Sequence, residues 1–203
     1  MRRTFSTALL SCFVILSACQ RGATTRNDTN DSAANNNTAT NSAATKGEGP
    51  MTLILRSTVF QEGGVIPSKF TCDGEDVSPP LVWSGVPESA KSLALVCEDP
   101  DAPRGTWTHW VVYSIPATAH TLPEALPTRE TLDDGTRQGK NDFQKIGYGG
   151  PCPPTGTHRY YFKLYALETE HDLPTAPTKD QLLKAIDGHT LAQGELMGRY
   201  KRQ

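Results

Sequence analysis

The stretch HRYYFKLYALE, residues 158–168, decides the fold class, because its composition predicts a β-strand along its whole length. Side chains alternate between the two faces of a strand. His158, Tyr160, Phe162 and Leu164 are therefore predicted to share one face, and Arg159 to lie on the other as an ion-pair partner. The shared face is apolar except for an imidazole at its start and the phenol next to it. This strand predicts a sheet whose core ends in polar groups.

Two further segments have the same construction. SLALVCEDP (92–100) is a continuous apolar run of strand length, which predicts a central strand. WTHWVVYSIP (107–116) is rich in β-branched and aromatic residues and stops at a proline. Alternation predicts two more shared faces: Leu93, Leu95, Cys97 and Asp99 on the first strand, and Trp107, His109, Val111, Tyr113 and Ile115 on the second.

Each of these three strands has an ionisable group near one end of its apolar face. If the ends meet, a carboxylate, two imidazoles and a phenol converge over an apolar floor, from Asp99, His109, His158 and Tyr160. Small-molecule sites usually have this construction. Taken singly, each of the two histidines is more often a structural residue, and only their combination favours a pocket.

The segment DPDAP, residues 99–103, is a rigid corner at the end of the second strand. Proline fixes its own φ and holds the preceding residue extended, so the segment cannot be helical. It is either a plain surface turn, with Asp99 and Asp101 as ordinary turn carboxylates, or a rigid support for two acidic groups.

The rest of residues 50–203 predicts a single domain that is mainly β. Residues 51–60 indicate another strand and residues 81–83 a short one. Residues 121–157 form a long segment rich in proline and glycine, a kind of loop that is often functional. Helical signals occur only at the end of the chain. Thr178 is a candidate N-cap before KDQLLKAID and Gly188, and a second helix is predicted over residues 189–202. We therefore expect an antiparallel β domain with two short C-terminal helices.

The first 18 residues predict a signal peptide, with Arg2 and Arg3 before a short apolar run. The following LSAC resembles a bacterial lipobox, in which Cys19 is acylated and becomes the mature N-terminus. Ordinary cleavage after Ala18, leaving a free thiol, is the alternative. Lipidation predicts anchoring in a bacterial cell envelope, and Gln20 resembles the sorting pattern for the outer membrane, facing the periplasm, where such a membrane exists.

Residues 19–49 are predicted to be the lipidated cysteine and a disordered tether. Twenty of residues 20–49 are Asn, Thr, Ala or Ser, and none is a large aliphatic or aromatic residue. Such a segment cannot bury enough apolar area to become ordered. Without the two arginines of the signal peptide, 18 basic residues face 22 acidic ones. This balance argues against nucleic acid as a partner.

Several motifs together resemble the phosphatidylethanolamine-binding, Raf kinase inhibitor-like family (PEBP family). They are DPDAP, THW at 108–110 and GGPCPPTGTHRYYFKLYAL at 149–167. VSPPLVWSGVP and LAQGELMGRY are similar to its bacterial YbhB/YbcL branch. The resemblance covers residues 51–202. It implies two antiparallel sheets with a small anion-binding cavity near the surface.

The resemblance also implies which residues form the pocket. Carried over by motif, they are Asp99, Asp101, His109, Gly150, Pro151, His158 and Tyr160, with Trp83 at the wall. Imidazoles, a phenol and backbone N–H groups can all donate to a phosphate or similar oxyanion. A carboxylate next to a histidine orients the ring and favours the imidazolium. We therefore expect the prolines of DPDAP to fix an acid that holds a histidine in place.

The roles of the cysteines, and whether the Asp/His cluster binds a metal ion, allow more than one interpretation. Cys97 is expected to be a buried free thiol, and a disulfide between Cys72 and Cys152 is expected from their loop contexts. The rival interpretation makes Cys152 a nucleophile activated by His158. One Asp and two His could ligate zinc or iron, but the spacing is not that of a metal motif, and we expect neither metal nor cofactor.

The leading functional hypothesis is a non-enzymatic, membrane-tethered protein that binds a small anionic ligand such as phosphate or a phospholipid head group. One alternative is a hydrolase that uses the Asp/His pair as a general acid and base. The other is a protein-interaction or inhibitor module whose pocket is regulatory. The sequence does not decide whether the protein has a protein partner or forms a homodimer.

Overall fold

A computed structural model describes residues 51–203. The predicted signal peptide (1–18) and lipidated tether (19–49) lie outside the described residues. The elements in chain order are β1 (Met51–Thr52), β2 (Ile54–Ser57), a 3-10 turn (Ser68–Phe70), β3 (Leu81–Ser84), β4 (Ser92–Asp99), β5 (Trp107–Pro116), β6 (Thr121–Leu122), β7 (Arg137–Gln138), β8 (His158–Leu167), α1 (Lys179–Ile186) and β9 (Thr190–Tyr200).

The strands form two sheets, as expected for a mainly β protein. The larger sheet has the order β1-β9-β8-β4-β5-β7, and the smaller one has the order β2-β3-β6. All neighbours pair antiparallel except β1 and β9, which are parallel. In the larger sheet β8 lies between β4 and β9 and pairs with both along nearly its whole length. Within residues 51–203 no helix is long and apolar enough to cross a membrane.

The main core lies between the two sheets, and a smaller one lies under the helix. Leu93, Leu95 and Cys97 of β4 face the main core, whereas Ala94 and Val96 face the smaller core with Leu182 and Ile186. Because β4 is buried on both faces, it needs a continuous apolar run instead of an alternating one. The interpretation of this segment as a central strand is confirmed.

The predicted second helix is wrong, because Thr190–Tyr200 is strand β9. Its alternate residues are buried with a period of two, ending in Gly194, Leu196, Gly198 and Tyr200. A Cβ on Gly194 would lie 2.5 Å from the Leu53 carbonyl oxygen, and one on Gly198 would lie 2.5 Å from Ile66 Cγ1. The two glycines therefore allow close packing inside a strand and do not mark helix ends. The first helix is present, with Thr178 and Gln181 forming a capping box.

The predicted alternation along β5 is also wrong, because the strand contains two irregularities. Cys97 pairs with Trp110 and Glu98 pairs with Thr108, which leaves His109 as an extra residue in a bulge. A second shift follows between Leu93 and Leu95. As a result the residues predicted to share a face are divided. Val111 and Tyr113 face the helix, whereas Trp110, Val112 and Ile115 face the main core.

Candidate functional site

The polar ends of β4 and β8 meet in a buried hydrogen bond between Asp99 and His158. His158 Nδ1 lies 2.7 Å from Asp99 Oδ2, and both side chains are buried. The other carboxylate oxygen, Oδ1, accepts the backbone N–H of Asp101 at 2.8 Å. The carboxylate is therefore satisfied on both oxygens and fixes the His158 ring with Nδ1 as the donor.

Asp101 has a different task from Asp99, although both belong to DPDAP. Its two oxygens accept Arg159 Nη2 at 2.6 Å and Nε at 2.9 Å, and Oδ2 also accepts the Arg159 backbone N–H at 2.9 Å. The hydrogen bonds from the Arg159 guanidinium lower the pKa of Asp101 to about 2. Asp101 therefore holds the first residues of β8 against the corner and does not face the pocket. The expected ion-pair role of Arg159 is confirmed.

His109, the extra residue of the β5 bulge, brings a second imidazole to the same place. Its Nδ1 lies 2.6 Å from the Gly149 carbonyl oxygen, and because a carbonyl can only accept, Nδ1 carries the hydrogen. The ring packs edge-on against Tyr160 and Phe143, with centroids 5.1 Å and 5.4 Å away. Burial lowers the pKa of His109, mainly by penalising the charged form. Burial therefore disfavours the imidazolium form of His109.

The two imidazoles line a cavity of about 430 Å³ that opens to the surface. Asp99 and Cys152 lie at the same cavity, together with residues that were not expected to line it: Ala102, Pro103, Arg104, Trp107, Phe143 and Pro154. Arg104 lines the cavity, is exposed, and has no ion-pair partner among the described residues. The cavity thus combines two imidazoles and one guanidinium with aromatic and proline walls.

Three of the expected site residues do not line this cavity: Gly150, Pro151 and Tyr160. Tyr160 is fully buried under His109, and burial raises the pKa of its hydroxyl. The Gly150 N–H donates to Asp76 Oδ1 at 2.7 Å, so it is already occupied. The Pro151 carbonyl accepts the Cys72 N–H at 3.1 Å. Gly150 lines a neighbouring cavity of about 780 Å³, which shares Phe143 and Cys152 with the first.

The expected position of Trp83 is wrong. Trp83 lies on β3 in the smaller sheet, where its indole is buried in the main core and donates to the Ala119 carbonyl at 2.9 Å. It does not line the cavity. The aromatic walls come instead from Trp107 and Phe143, which pack edge-on with centroids 5.5 Å apart.

A disulfide joins Cys72 to Cys152, with Cα atoms 5.4 Å apart and a sequence separation of 80 residues. It leaves no free thiol at position 152 to act as a nucleophile. Cys97 is free and buried in the main core, as expected. In the described part of the chain, no group of three or more His, Cys, Asp or Glu side chains is arranged to hold a metal ion.

Some of the cavity residues that the sequence analysis did not predict could have been found from their position in the sequence, and others could not. Arg104 and Trp107 lie between DPDAP and His109 in the sequence, and this closeness to expected site residues could have indicated them. Phe143 lies in the long loop between β7 and β8, with no pattern around it. Its contact with His109 exists only because the loop folds back over β5, where the Gly149 N–H donates to the His109 carbonyl at 2.9 Å.

Comparison with known proteins agrees with this architecture. The family model for phosphatidylethanolamine-binding protein matches residues 56–201. A UPF0098 protein from Methanothermobacter thermautotrophicus is 52% identical over 148 residues, which cover 73% of this chain and 98% of that protein. A crystal structure of a phosphatidylethanolamine-binding protein homologue, CT736 from Chlamydia trachomatis, is 43% identical with a TM-score of 0.69, covering 75% of this chain and 99% of that one.

A second solved structure is that of Escherichia coli YbcL, described as a member of the mammalian PEBP family. It is 35% identical with a TM-score of 0.69, covering 74% of this chain and 99% of that chain. The family match extends over most of the chain, and the relatives exceed one third identity over nearly their whole lengths. The chain belongs to the phosphatidylethanolamine-binding protein family.

Proposed function

We propose that the protein is a binding protein for a small oxyanion, such as a phosphate or phosphoryl group, and that the cavity at Asp99, His109 and His158 is its site. The observation that carries this proposal is the buried 2.7 Å contact between Asp99 and His158 at a surface cavity. Because Asp99 holds Nδ1 of His158, the ring presents its other nitrogen, Nε2, to an anion in the cavity.

The polar side chains that line the cavity favour an anionic ligand over a cationic one. The only carboxylate among the lining residues is that of Asp99, and both of its oxygens already accept hydrogen bonds. Arg104 places a guanidinium at the mouth, and guanidinium groups match oxyanions well. Apolar walls strengthen charge interactions within the cavity by lowering the local dielectric constant.

Calorimetric titration tests the proposal. We expect inorganic phosphate and phosphoethanolamine to release or absorb heat with a saturable profile at pH 6, and His158→Ala to abolish it. His120→Ala is the matched control, because His120 is an exposed histidine away from the cavity. Absence of binding by the wild-type protein, or equal binding by His158→Ala, contradicts the proposal.

A hydrolase remains the second candidate, because a buried carboxylate–imidazole pair is also what a general base requires. The cavity lining includes no serine or threonine hydroxyl, and its one cysteine is in a disulfide. We therefore propose a non-enzymatic role. Sustained, His158-dependent release of phosphate from a phosphate monoester would overturn it in favour of the hydrolase.

We further propose that the protein is held at a bacterial envelope membrane through acylated Cys19. The support is the LSAC sequence after a basic and apolar start, followed by a polar segment of 30 residues. Mass spectrometry of the N-terminal peptide, with Cys19→Ser as the comparison, tests this. An acylated cysteine supports tethering, and an unmodified peptide that starts at position 19 contradicts it.

A further inference from the structure

We propose that the disulfide between Cys72 and Cys152 is a redox-sensitive clamp on the anion cavity, and that its reduction to two thiols weakens ligand binding by releasing one wall. This inference rests on the proposed function, because it concerns binding at the same cavity. It starts from residues 152–156, the sequence CPPTG, which we call the wall loop.

The wall loop bounds the cavity at two points. Cys152 and Pro154 line the cavity, whereas the other lining residues lie within 99–109, at Phe143 and at His158. Cys152 also lines the neighbouring cavity of about 780 Å³, together with Cys72. The disulfide therefore lies at a boundary that the two cavities share, and it fixes the first residue of the wall loop there.

The wall loop has few other attachments. In the described part of the chain, the backbone hydrogen bonds outside the helix and strands include none from this loop. Pro153 and Pro154 have no N–H to donate, and most of the loop is exposed. A Cβ on Gly156 would meet no atom of another segment within 4 Å. The loop is therefore held by the disulfide at its start, by the buried Pro153 and by β8 after its end.

The groups on either side of the disulfide are held independently of it. The Pro151 carbonyl accepts the Cys72 N–H at 3.1 Å, and this hydrogen bond does not require the sulfur atoms to be joined. The hydrogen bond between Asp99 and His158 involves neither cysteine. Reduction should therefore leave the polar floor of the cavity in place and free the wall loop, so we expect binding to be weakened and not abolished.

The bond is accessible to a reductant, because Cys152 is exposed and Cys72 is half-buried. The reductant that we propose is a dithiol, either a small molecule or a protein. One of its thiolates attacks the Cys152 sulfur, which forms a mixed disulfide and releases Cys72 as a thiolate that takes a proton from water. The second thiolate of the reductant then displaces Cys152 in the same way. Two electrons pass to the protein, and the reductant leaves as a disulfide.

Ligand binding to the reduced protein carries an extra ordering cost. A ligand that contacts the wall must restrict a segment that the disulfide otherwise holds in place. Fixing the backbone of a single residue corresponds to about a 5- to 30-fold loss of affinity. We therefore expect the reduced protein to bind its ligand about 5- to 30-fold more weakly than the oxidised protein.

The test is calorimetric titration of the whole protein with phosphoethanolamine at pH 7, after incubation with or without dithiothreitol. Alkylation and peptide mass measurement confirm which cysteines are reduced. Cys72→Ser/Cys152→Ser is the control, and it should bind as weakly as the reduced protein and should not respond to dithiothreitol. Equal affinities of the oxidised and reduced protein would overturn the inference and leave the proposed function intact. No binding by the oxidised protein would overturn both.

A second variant keeps the inference falsifiable if the reduced protein unfolds, which circular dichroism would show. Pro154→Gly loosens the wall loop while the disulfide stays closed, so we expect it to weaken phosphoethanolamine binding several-fold. Pro174→Gly is the matched control, because Pro174 is an exposed proline that does not line the cavity. Undiminished binding by Pro154→Gly, or an equal loss in Pro174→Gly, would overturn the inference.

Discussion

The carboxylate of Asp99 accepts the His158 Nδ1–H at 2.7 Å across the ends of two neighbouring strands of one sheet. Asp99 is the last residue of β4 and His158 is the first of β8, so the same sheet that forms the core also aligns the pair. The prolines of DPDAP turn the chain immediately after Asp99. The pair is thus held by backbone geometry as well as by its own hydrogen bond.

Replacing Asp99 by Asn tests the electrostatic part of this arrangement. The amide keeps the size of the side chain but replaces the charged acceptor of the His158 Nδ1–H with a neutral one, and so weakens the hydrogen bond that orients the ring. We expect phosphate to bind about 10-fold or more weakly in Asp99→Asn, measured by calorimetry at pH 6. Asp101→Asn is the matched control, because that carboxylate belongs to the same corner but bonds to Arg159. An equal loss in both variants would contradict a specific role for Asp99.

The pair of Asp101 and Arg159 predicts a pH-dependent contribution to stability. The pKa of Asp101 is lowered to about 2 in the folded protein, against about 3.9 in an unfolded chain. The stabilisation is therefore complete above about pH 5 and is lost as the pH falls through 4 towards 2. Because Arg159 is half exposed, we expect at most about 1 kcal/mol. Urea unfolding of wild type and Asp101→Asn should differ at pH 7 and converge near pH 2. A difference that persists at pH 2 would point to another cause.

The disulfide between Cys72 and Cys152 closes a long loop and should stabilise the fold considerably. For a sequence separation of 80 residues, the loss of chain entropy in the unfolded state corresponds to about 4.5 kcal/mol. We expect the double variant Cys72→Ser/Cys152→Ser to lose a free energy of unfolding of about this size in urea titrations. Wild type unfolded in the presence of a reducing agent is the control and should match the variant. If reduction and substitution both leave stability unchanged, the bond does not form in solution.

Arg104 should contribute to anion binding through long-range attraction more than through a fixed contact. It lies at the exposed mouth of the cavity without an ion-pair partner among the described residues. We expect Arg104→Gln to weaken phosphate binding several-fold at low salt and less at high salt, since salt screens exposed charges. Arg56→Gln removes a charge from exposed β2, away from the cavity, and serves as the control. Equal effects of the two variants would assign the loss to net charge alone.

Gly194 tests the corrected assignment of β9. A Cβ at this position would meet the Leu53 carbonyl at 2.5 Å, so the paired strands β1 and β9 would have to separate. We expect Gly194→Ala to destabilise the protein by about 1–3 kcal/mol in urea unfolding. Gln193→Ala, on the exposed face of the same strand, should change stability by less than about 0.5 kcal/mol. In a helix, by contrast, Gly194→Ala would be stabilising.

Strong local patterns were sufficient to predict much of the fold. The apolar run of β4 and the alternation of β8 specify their own burial, so the face of Leu93, Leu95 and Cys97 was predicted correctly. The strand patterns placed Asp99 and His158 at strand ends, and the family motifs implied that these ends meet, as they do. The family motifs supplied the two-sheet architecture, and the comparisons confirm the family.

The errors arose where tertiary contacts override local pattern. LAQGELMGRY contains good helix formers, and only the close approach of Leu53 and Ile66 to its glycines makes a strand necessary. The bulge at His109 depends on how β5 pairs with β4, so the sequence of β5 alone does not predict it. Phe143 reaches the cavity through a loop whose path is set by backbone hydrogen bonds to β5, and Trp83 was assigned from a motif that belongs to the other sheet.

A crystal structure of the protein with inorganic phosphate would test the central claim most directly, because it locates the ligand as well as detecting it. The account predicts a phosphate in the cavity, with one oxygen within hydrogen-bond distance of His158 Nε2 and another within that distance of His109 Nε2. A phosphate-soaked crystal in which this cavity contains only water, with clear density for both rings, would contradict it.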